Sequence, residues 1–239
     1  MKAMILAAGR GERMRPLTDH TPKPLLPVHG KPLIEYQIQR LRDAGYHELV
    51  INLHHLGEQI EAHLGDGRAL GVNIRYSVEH PDRLETGGGI LQALPLLGDG
   101  PFLVVNGDVW SDCDLHPRPL AANTLAHLLL VPNPPHNPKG DFALDDGRLR
   151  NNGTPRHTFS GIGWYRPELF TDCRPGRFPL APLLRDAIAA ERVTGELCKT
   201  RWMDIGTPQR LAALADWLSK PQDTPRHHPD DTNADGRHP

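Results

Sequence analysis

Five prolines, Pro16, Pro22, Pro24, Pro27 and Pro32, fall within the stretch "GRGERMRPLTDHTPKPLLPVHGKPLIEY" near the N-terminus. Proline fixes φ and has no N–H to donate, so no helix is expected to run through it. Before it, "AMILAA" (Ala3 to Ala8) reads as a buried strand. After it, "PLIEYQIQRLRDAG" (Pro32 to Gly45) reads as a helix that starts on proline and stops on glycine. A long irregular loop between strand and helix has to lie over the C-terminal edge of the sheet, the edge where open α/β folds hold their ligands.

The rest of the first half repeats the alternation. "ELVINLHH" reads as a second strand, "LGEQIEAHLG" as a short helix and "NIRYSVE" as a third strand. "TGGGILQALPLL" starts a helix from glycines, and "FLVVNGD" (Phe102 to Asp108) is a buried strand ending on a carboxylate. Short apolar runs alternating with helical periodicity predict an α/β fold with a largely parallel sheet. In the second half "LAHLLLVPN" (Leu125 to Asn133) reads as a central strand, and "DFALDDGRLR" (Asp141 to Arg150) as a hairpin turning at Asp146-Gly147. "FSGIGWY" is a further strand, "LAPLLRDAIAAER" a helix, "ELCKTRWMDI" one strand running into Asp204, and "TPQRLAALADWLSK" an amphipathic helix capped by Thr207. From Lys220 the composition shifts to Pro, Asp, His and Arg, the signature of a disordered tail. The expected organisation is one domain over residues 1–219, with halves of about 1–115 and 116–219, and a tail over 220–239.

Bulk properties remove several function classes. A formal charge of −2 without clustered Lys and Arg argues against a nucleic-acid binder. No apolar run approaches the roughly 18 residues of a membrane span, and the short run Ala3 to Ala8 leads straight into glycines and charges rather than a signal-peptide layout. A cytoplasmic location is therefore the expectation. Cys113, Cys173 and Cys198 are odd in number and far apart, which reads as reduced thiols rather than a disulfide framework or a zinc site. His54 and His55, adjacent on the second strand, point to opposite faces, so they do not read as a metal pair.

Three phosphate-loop readings compete for "LAAGRGERMRPLT". A dinucleotide fingerprint needs a third glycine where Met14 stands, and a carboxylate closing the second strand, which ends instead in Asn52 to His55. A Walker loop needs Gly-Lys-Ser/Thr where Gly11 is followed by Glu12 and Arg13. A bare strand-to-helix turn with solvated arginines does not account for the long proline-rich continuation. Gly9 and Gly11 let backbone N–H groups approach a triphosphate, while Arg13 and Lys23 place cations on it; each charge-assisted bond contributes roughly 1.5–3 kcal/mol.

Read to Val28, "LAAGRGERMRPLTDHTPKPLLPV" resembles the signature of the sugar-1-phosphate nucleotidylyltransferases, with Glu12 where that family usually carries Thr or Ser. "LETGGGILQAL" (Leu84 to Leu94), "VVNGDVWSD" and "WMDIGTPQRL" (Trp202 to Leu211) resemble further family segments in the same chain order. The resemblance implies a Rossmann-like three-layer sandwich with a mixed, mainly parallel central sheet. It also implies transfer of a nucleotidyl group from an NTP to a sugar 1-phosphate with release of pyrophosphate. Arg13 and Lys23 are then the catalytic cations, and Asp108 and Asp204 the ligands of a Mg²⁺ ion, with Asp112 a weaker candidate. Leu6, Ala7, Ala8, Gly9, Gly11, Glu12, Glu79, Glu85, Thr86 and Asn106 join Arg13 and Lys23 as nucleotide-binding positions. Gly140, Asp141, Ser160, Gly161 and Trp202 are the implied sugar contacts.

One departure stands out. Many relatives carry a Glu-Lys-Pro segment whose lysine contacts the sugar phosphate; no such triplet lies between Arg148 and Phe159, leaving Lys139, Arg150 or Arg156 as substitutes. Within the family the wording most resembles the short bacterial uridylyltransferases that act on N-acetylmuramate 1-phosphate in peptidoglycan recycling. That implies UTP and this sugar 1-phosphate as partners. Mannose-1-phosphate guanylyltransferases are the alternative, and a nucleotide-sugar sensor without turnover is the alternative of a different class.

Overall fold

The structure is a computed structural model and describes residues 1–219; the expected tail lies outside the described residues. β1 (Lys2–Leu6) is followed by the proline-rich segment, in which a short hairpin of β2 (Pro27–Val28) and β3 (Lys31–Pro32) leads into α1 (Leu33–Asp43). Then come β4 (Glu48–Leu53), α2 (Gly57–Leu64), β5 (Asn73–Val78), α3 (Glu85–Leu97) and β6 (Phe102–Asn106). The second half holds β7 (Val109–Ser111), β8 (Ala126–Val131), the hairpin of β9 (Phe142–Asp145) and β10 (Arg148–Arg150), and β11 (Arg156–Tyr165). It ends with α4 (Leu180–Ala189), β12 (Val193–Leu197), β13 (Trp202–Asp204) and α5 (Pro208–Leu218).

Among the described residues nine strands form one sheet in the order β5-β4-β1-β6-β11-β8-β12-β10-β9. The first four are parallel, as the alternating pattern predicts. β11 runs antiparallel to both β6 and β8, which makes the sheet mixed. Its register shifts between Phe159 and Gly163, a bulge that bends the strand so that Arg156 and His157 pair with β9 and the far end of the sheet closes on itself. Ile34, Ile38 and Leu41 of α1, with Ile60 and Leu64 of α2, cover one face of the sheet. Ile90, Ala93 and Leu97 of α3, with Leu180, Leu184 and Ile188 of α4, cover the other. The result is the three-layer sandwich expected. A third cluster of Val28, Leu33, Trp110, Ile205 and Leu214 seats α5 against β2 and β7.

Three local expectations are corrected. "ELCKTRWMDI" is two strands: β12 stays in the main sheet beside β8, while β13 leaves it to pair with β7. β4 ends at Leu53, so His54 and His55 lie in the turn beyond it. Cys113 and Cys198, read as reduced, form a disulfide with a Cα–Cα distance of 6.0 Å across 85 residues. Sequence separation was the wrong measure, because the exits of β7 and β12 meet in space; Cys198 N–H donates to Leu130 C=O (2.8 Å) there. Cys173 is the free thiol.

The glycine run at the start of α3 is a packing requirement. A Cβ on Gly88 would overlap the Gly176 carbonyl oxygen, and one on Gly89 would stand 2.6 Å from Glu79 Oε1. The segment Gly176–Phe178 is pinned there by Gly88 N–H to Phe178 C=O and Phe178 N–H to Leu84 C=O, both 3.1 Å. Gly88→Ala is expected to lower unfolding stability by about 1–3 kcal/mol, read from urea midpoints, because backbone cannot rotate out of the way. Gly100→Ala, with nothing within 4 Å of the added methyl, is expected to stay within about 0.5 kcal/mol. Thiol titration of denatured, unreduced protein is expected to find one reactive group, Cys173, and three after reduction; three before reduction would contradict the cross-link.

Candidate active site

β1 and β6 end side by side, and a cleft of about 850 Å³ opens over their C-terminal ends. Gly107 makes the closest approach: its N–H donates to Leu6 C=O (2.9 Å), and a Cβ there would stand 2.7 Å from the same oxygen. The loop after β1 is tied down from beneath. Gly11 adopts φ +65°, Met14 N–H donates to its carbonyl at 2.8 Å, and Thr18 Oγ1 donates to the same carbonyl at 2.8 Å. Met14, standing where a dinucleotide loop would have glycine, is buried and anchors the turn. Gly9 has no neighbour within 4 Å of a Cβ position, so its open side faces the cleft.

Every residue named above for nucleotide binding lines this cleft, and so does Asp108. The cations come from separate segments. Lys23 Nζ lies 2.6 Å from Asp108 Oδ2, with the lysine side chain only 12% exposed. The Arg13 guanidinium packs over Gly206, where a Cβ would stand 3.2 Å from it. The C-terminal end of the described chain thus returns to the first loop.

Asp108 and Asp204 are neighbours because β7 and β13 pair with Asp204 opposite Val109 and Ile205 N–H donating to Asp108 C=O at 2.7 Å. Asp204 Oδ2 accepts from Arg210, and its Oδ1 lies 3.3 Å from His136 Nε2. Among the described residues no group of three or more His, Cys, Asp or Glu side chains could hold a metal alone. Asp108 and Asp204 offer oxygen donors only, the kind a hard divalent cation takes. Asp112 is at the other end of β7, facing Arg40 and Arg201; burial pushes its carboxyl up while those arginines pull it down. It is remote from this pair by strand position.

One wall of the cleft is built on a buried relay. Ala7 N–H donates to Asn52 Oδ1 (2.8 Å), Asn52 Nδ2 to Glu79 Oε1 (2.7 Å), and Leu84 N–H to Glu79 Oε2 (2.7 Å). Both Glu79 oxygens are thereby engaged, so Glu79 fixes the backbone around Ala7 and the start of α3. Glu85 opens that helix at φ +62°, a left-handed conformation a glutamate adopts only under constraint, and Arg177 holds its carboxylate at 2.8 Å.

The residues implied as sugar contacts have internal partners. Asp141 Oδ2 accepts from Phe159 N–H (2.8 Å) and Asn137 Nδ2 (3.1 Å). Gly140, at φ +63°, would press a Cβ within 2.8 Å of the Arg156 carbonyl carbon. Ser160 is buried and its carbonyl accepts from Trp202 Nε1 (2.9 Å), while Gly161 packs against the Asn106 amide. Sequence reasoning did not single out Asn52 as a positioning group, nor Arg177, Arg210 or His136. Arg177 in "PGRFPL" and His136 in "NPPHNPKG" carry no motif of their own; only the fold brings them to the site.

The family model described as Nucleotidyl transferase matches residues 2–136. The chain is 57% identical to the N-acetylmuramate alpha-1-phosphate uridylyltransferase of Neisseria meningitidis serogroup B, over 88% of this chain and 95% of that protein. It is 36% identical to the protein of that name from Caulobacter vibrioides, over 89% of this chain and 95% of the other. In fold it is similar to HddC of Yersinia pseudotuberculosis, solved with GMP-PN, with a TM-score of 0.73, 19% identity, and coverage of 91% of this chain and 99% of that one. The family match over more than half the chain and the two near-complete relatives establish that this chain belongs to the nucleotidyl transferase family.

Proposed function

We propose that this chain transfers the uridylyl group of UTP to N-acetylmuramate α-1-phosphate, giving UDP-N-acetylmuramic acid and pyrophosphate. The observation that carries the reading is the meeting of Arg13, Lys23, Asp108 and Gly206, from separate segments, around one cleft floored by glycine backbone. The choice of UTP and this sugar rests on the 57% identity to the Neisseria protein across nearly its whole length.

In this reading a phosphate oxygen of the sugar 1-phosphate attacks the α-phosphorus of UTP in line. The bond from α-phosphorus to the bridging oxygen breaks, and that oxygen leaves with pyrophosphate. The protein forms no covalent bond; it brings two anions together and offsets the charge that develops. Backbone from Ala8 to Gly11 holds the triphosphate. Arg13 neutralises its outer phosphates, and Lys23 places its ammonium near the α-phosphate while keeping contact with Asp108. Asn52 and Glu79 hold the Ala7 backbone that faces the base. Asp108 and Asp204 would hold a divalent cation, Mg²⁺ by the chemistry of the donors, which supplies charge neutralisation between the two phosphates. Residues 1–115 form the nucleotide half and 116–219 the sugar half, except that Gly206 and Asp204 cross back to the nucleotide.

Pyrophosphate release over four NTPs and several sugar 1-phosphates, with Mg²⁺, is expected to be highest for UTP with N-acetylmuramate α-1-phosphate. GTP with mannose 1-phosphate as the best pair would overturn the substrate assignment, and no release with any pair would overturn the enzyme reading. Lys23→Ala is expected to lower kcat about 100-fold or more. The same change should alter unfolding stability by only about 1 kcal/mol, since its ion pair with Asp108 is partly exposed; equal losses in rate and stability would refute the role. Gly9→Val places its Cβ where no atom of the fold lies within 4 Å. Its melting temperature should therefore hold while KM for UTP rises about tenfold or more.

A further inference from the structure

The sugar half lacks the family's lysine, and the structure narrows what stands in for it. Arg150 points to Glu191 and Asp145 at the rim of the sheet. Arg156 turns its guanidinium onto Asp141 C=O. Lys139 is exposed on the loop after β8. His136, on the same loop and also exposed, reaches Asp204, with Nε2 3.3 Å from Oδ1.

That loop is held in place. Thr158 Oγ1 donates to Asn133 Oδ1 (3.0 Å) and accepts from Asn137 Nδ2 (3.1 Å), and Asn133 Nδ2 donates to Arg156 C=O (3.0 Å). Asn137 also donates to Asp141, so the residues flanking His136 are fixed on both sides. Arg210 occupies the other oxygen of Asp204, and Gly206, two residues on, lines the nucleotide cleft. His136 therefore stands at the boundary between the nucleotide cleft and the sugar half, presented by a rigid loop.

We infer that His136 donates an N–H to the phosphate of the incoming sugar 1-phosphate and fills the place of the missing lysine. The inference rests on the proposed function. Any phosphate brought against Asp204 comes within reach of this imidazole, and the contact needs only one ring N–H. Asp141, Asn133, Asn137 and Thr158 become positioning residues for that donor, which accounts for their internal bonds.

The test is steady-state kinetics with each substrate varied separately, on the wild type, His136→Ala, His136→Gln and Lys139→Ala. His136→Ala should raise KM for N-acetylmuramate α-1-phosphate about tenfold or more while KM for UTP stays within about twofold, the expected loss of one hydrogen bond to a charged group. His136→Gln, which keeps an N–H donor, should recover part of that loss and carries the test should the alanine variant fold poorly. An unchanged KM for the sugar 1-phosphate, an equal rise in both KM values, or a larger effect from Lys139→Ala would overturn the inference. A wild type inactive with every substrate pair would remove the function itself. An active wild type with an unaffected His136 variant removes only this contact.

Discussion

The hydrogen bond from Ile205 N–H to Asp108 C=O, 2.7 Å long, is the contact on which the site depends. It extends the pairing of β7 with β13 and so brings the backbone of Asp204 beside that of Asp108, nearly a hundred residues away in sequence. Remove it and Asp108 belongs to the end of β6, while Asp204 belongs to a loop before α5. Gln37 and Arg40 of α1 support the same ribbon by donating to the backbone carbonyls of Val109 and Cys113. The disulfide from Cys113 to Cys198 closes its far end. The ribbon is thus braced by a helix along one side and by a cross-link at its far end.

Each carboxylate of the ribbon has its own cation. Lys23 sits on Asp108, Arg210 on Asp204, and Arg13 lies against Gly206. Arg13 and Lys23 line the cleft and make it attractive to a polyanion. The near-neutral net charge of the chain hides this, because the concentration of cations is local.

Much of this was legible in the sequence where a single residue type answers a physical demand. Prolines ruled out a helix after β1, and Asp146-Gly147 predicted a turn whose two residues take positive φ. "TGGGI" marked the start of α3, and its glycines make room for the Gly176–Phe178 segment and Glu79. What was not legible depends on long-range meeting points. The break between β12 and β13 is invisible in "ELCKTRWMDI" because both pieces have strand character; their partners, β8 and β7, decide it. The disulfide depends on the same split. His136 and Arg177 lie in loops without periodicity, and their roles follow from where the fold places Asp204 and Glu85.

In the proposed reaction Asp108 and Asp204 together mark the point where the two substrates' phosphates meet. A crystal grown with UDP-N-acetylmuramic acid and Mn²⁺ in place of Mg²⁺ tests it, since the anomalous signal locates the ion independently of the protein atoms. The expected result is Mn²⁺ bound by both carboxylates and by the diphosphate, with uridine over Ala7 to Gly9 and the sugar beside His136. An ion coordinated elsewhere, or a diphosphate lying away from the Gly9–Lys23 loop, would contradict it.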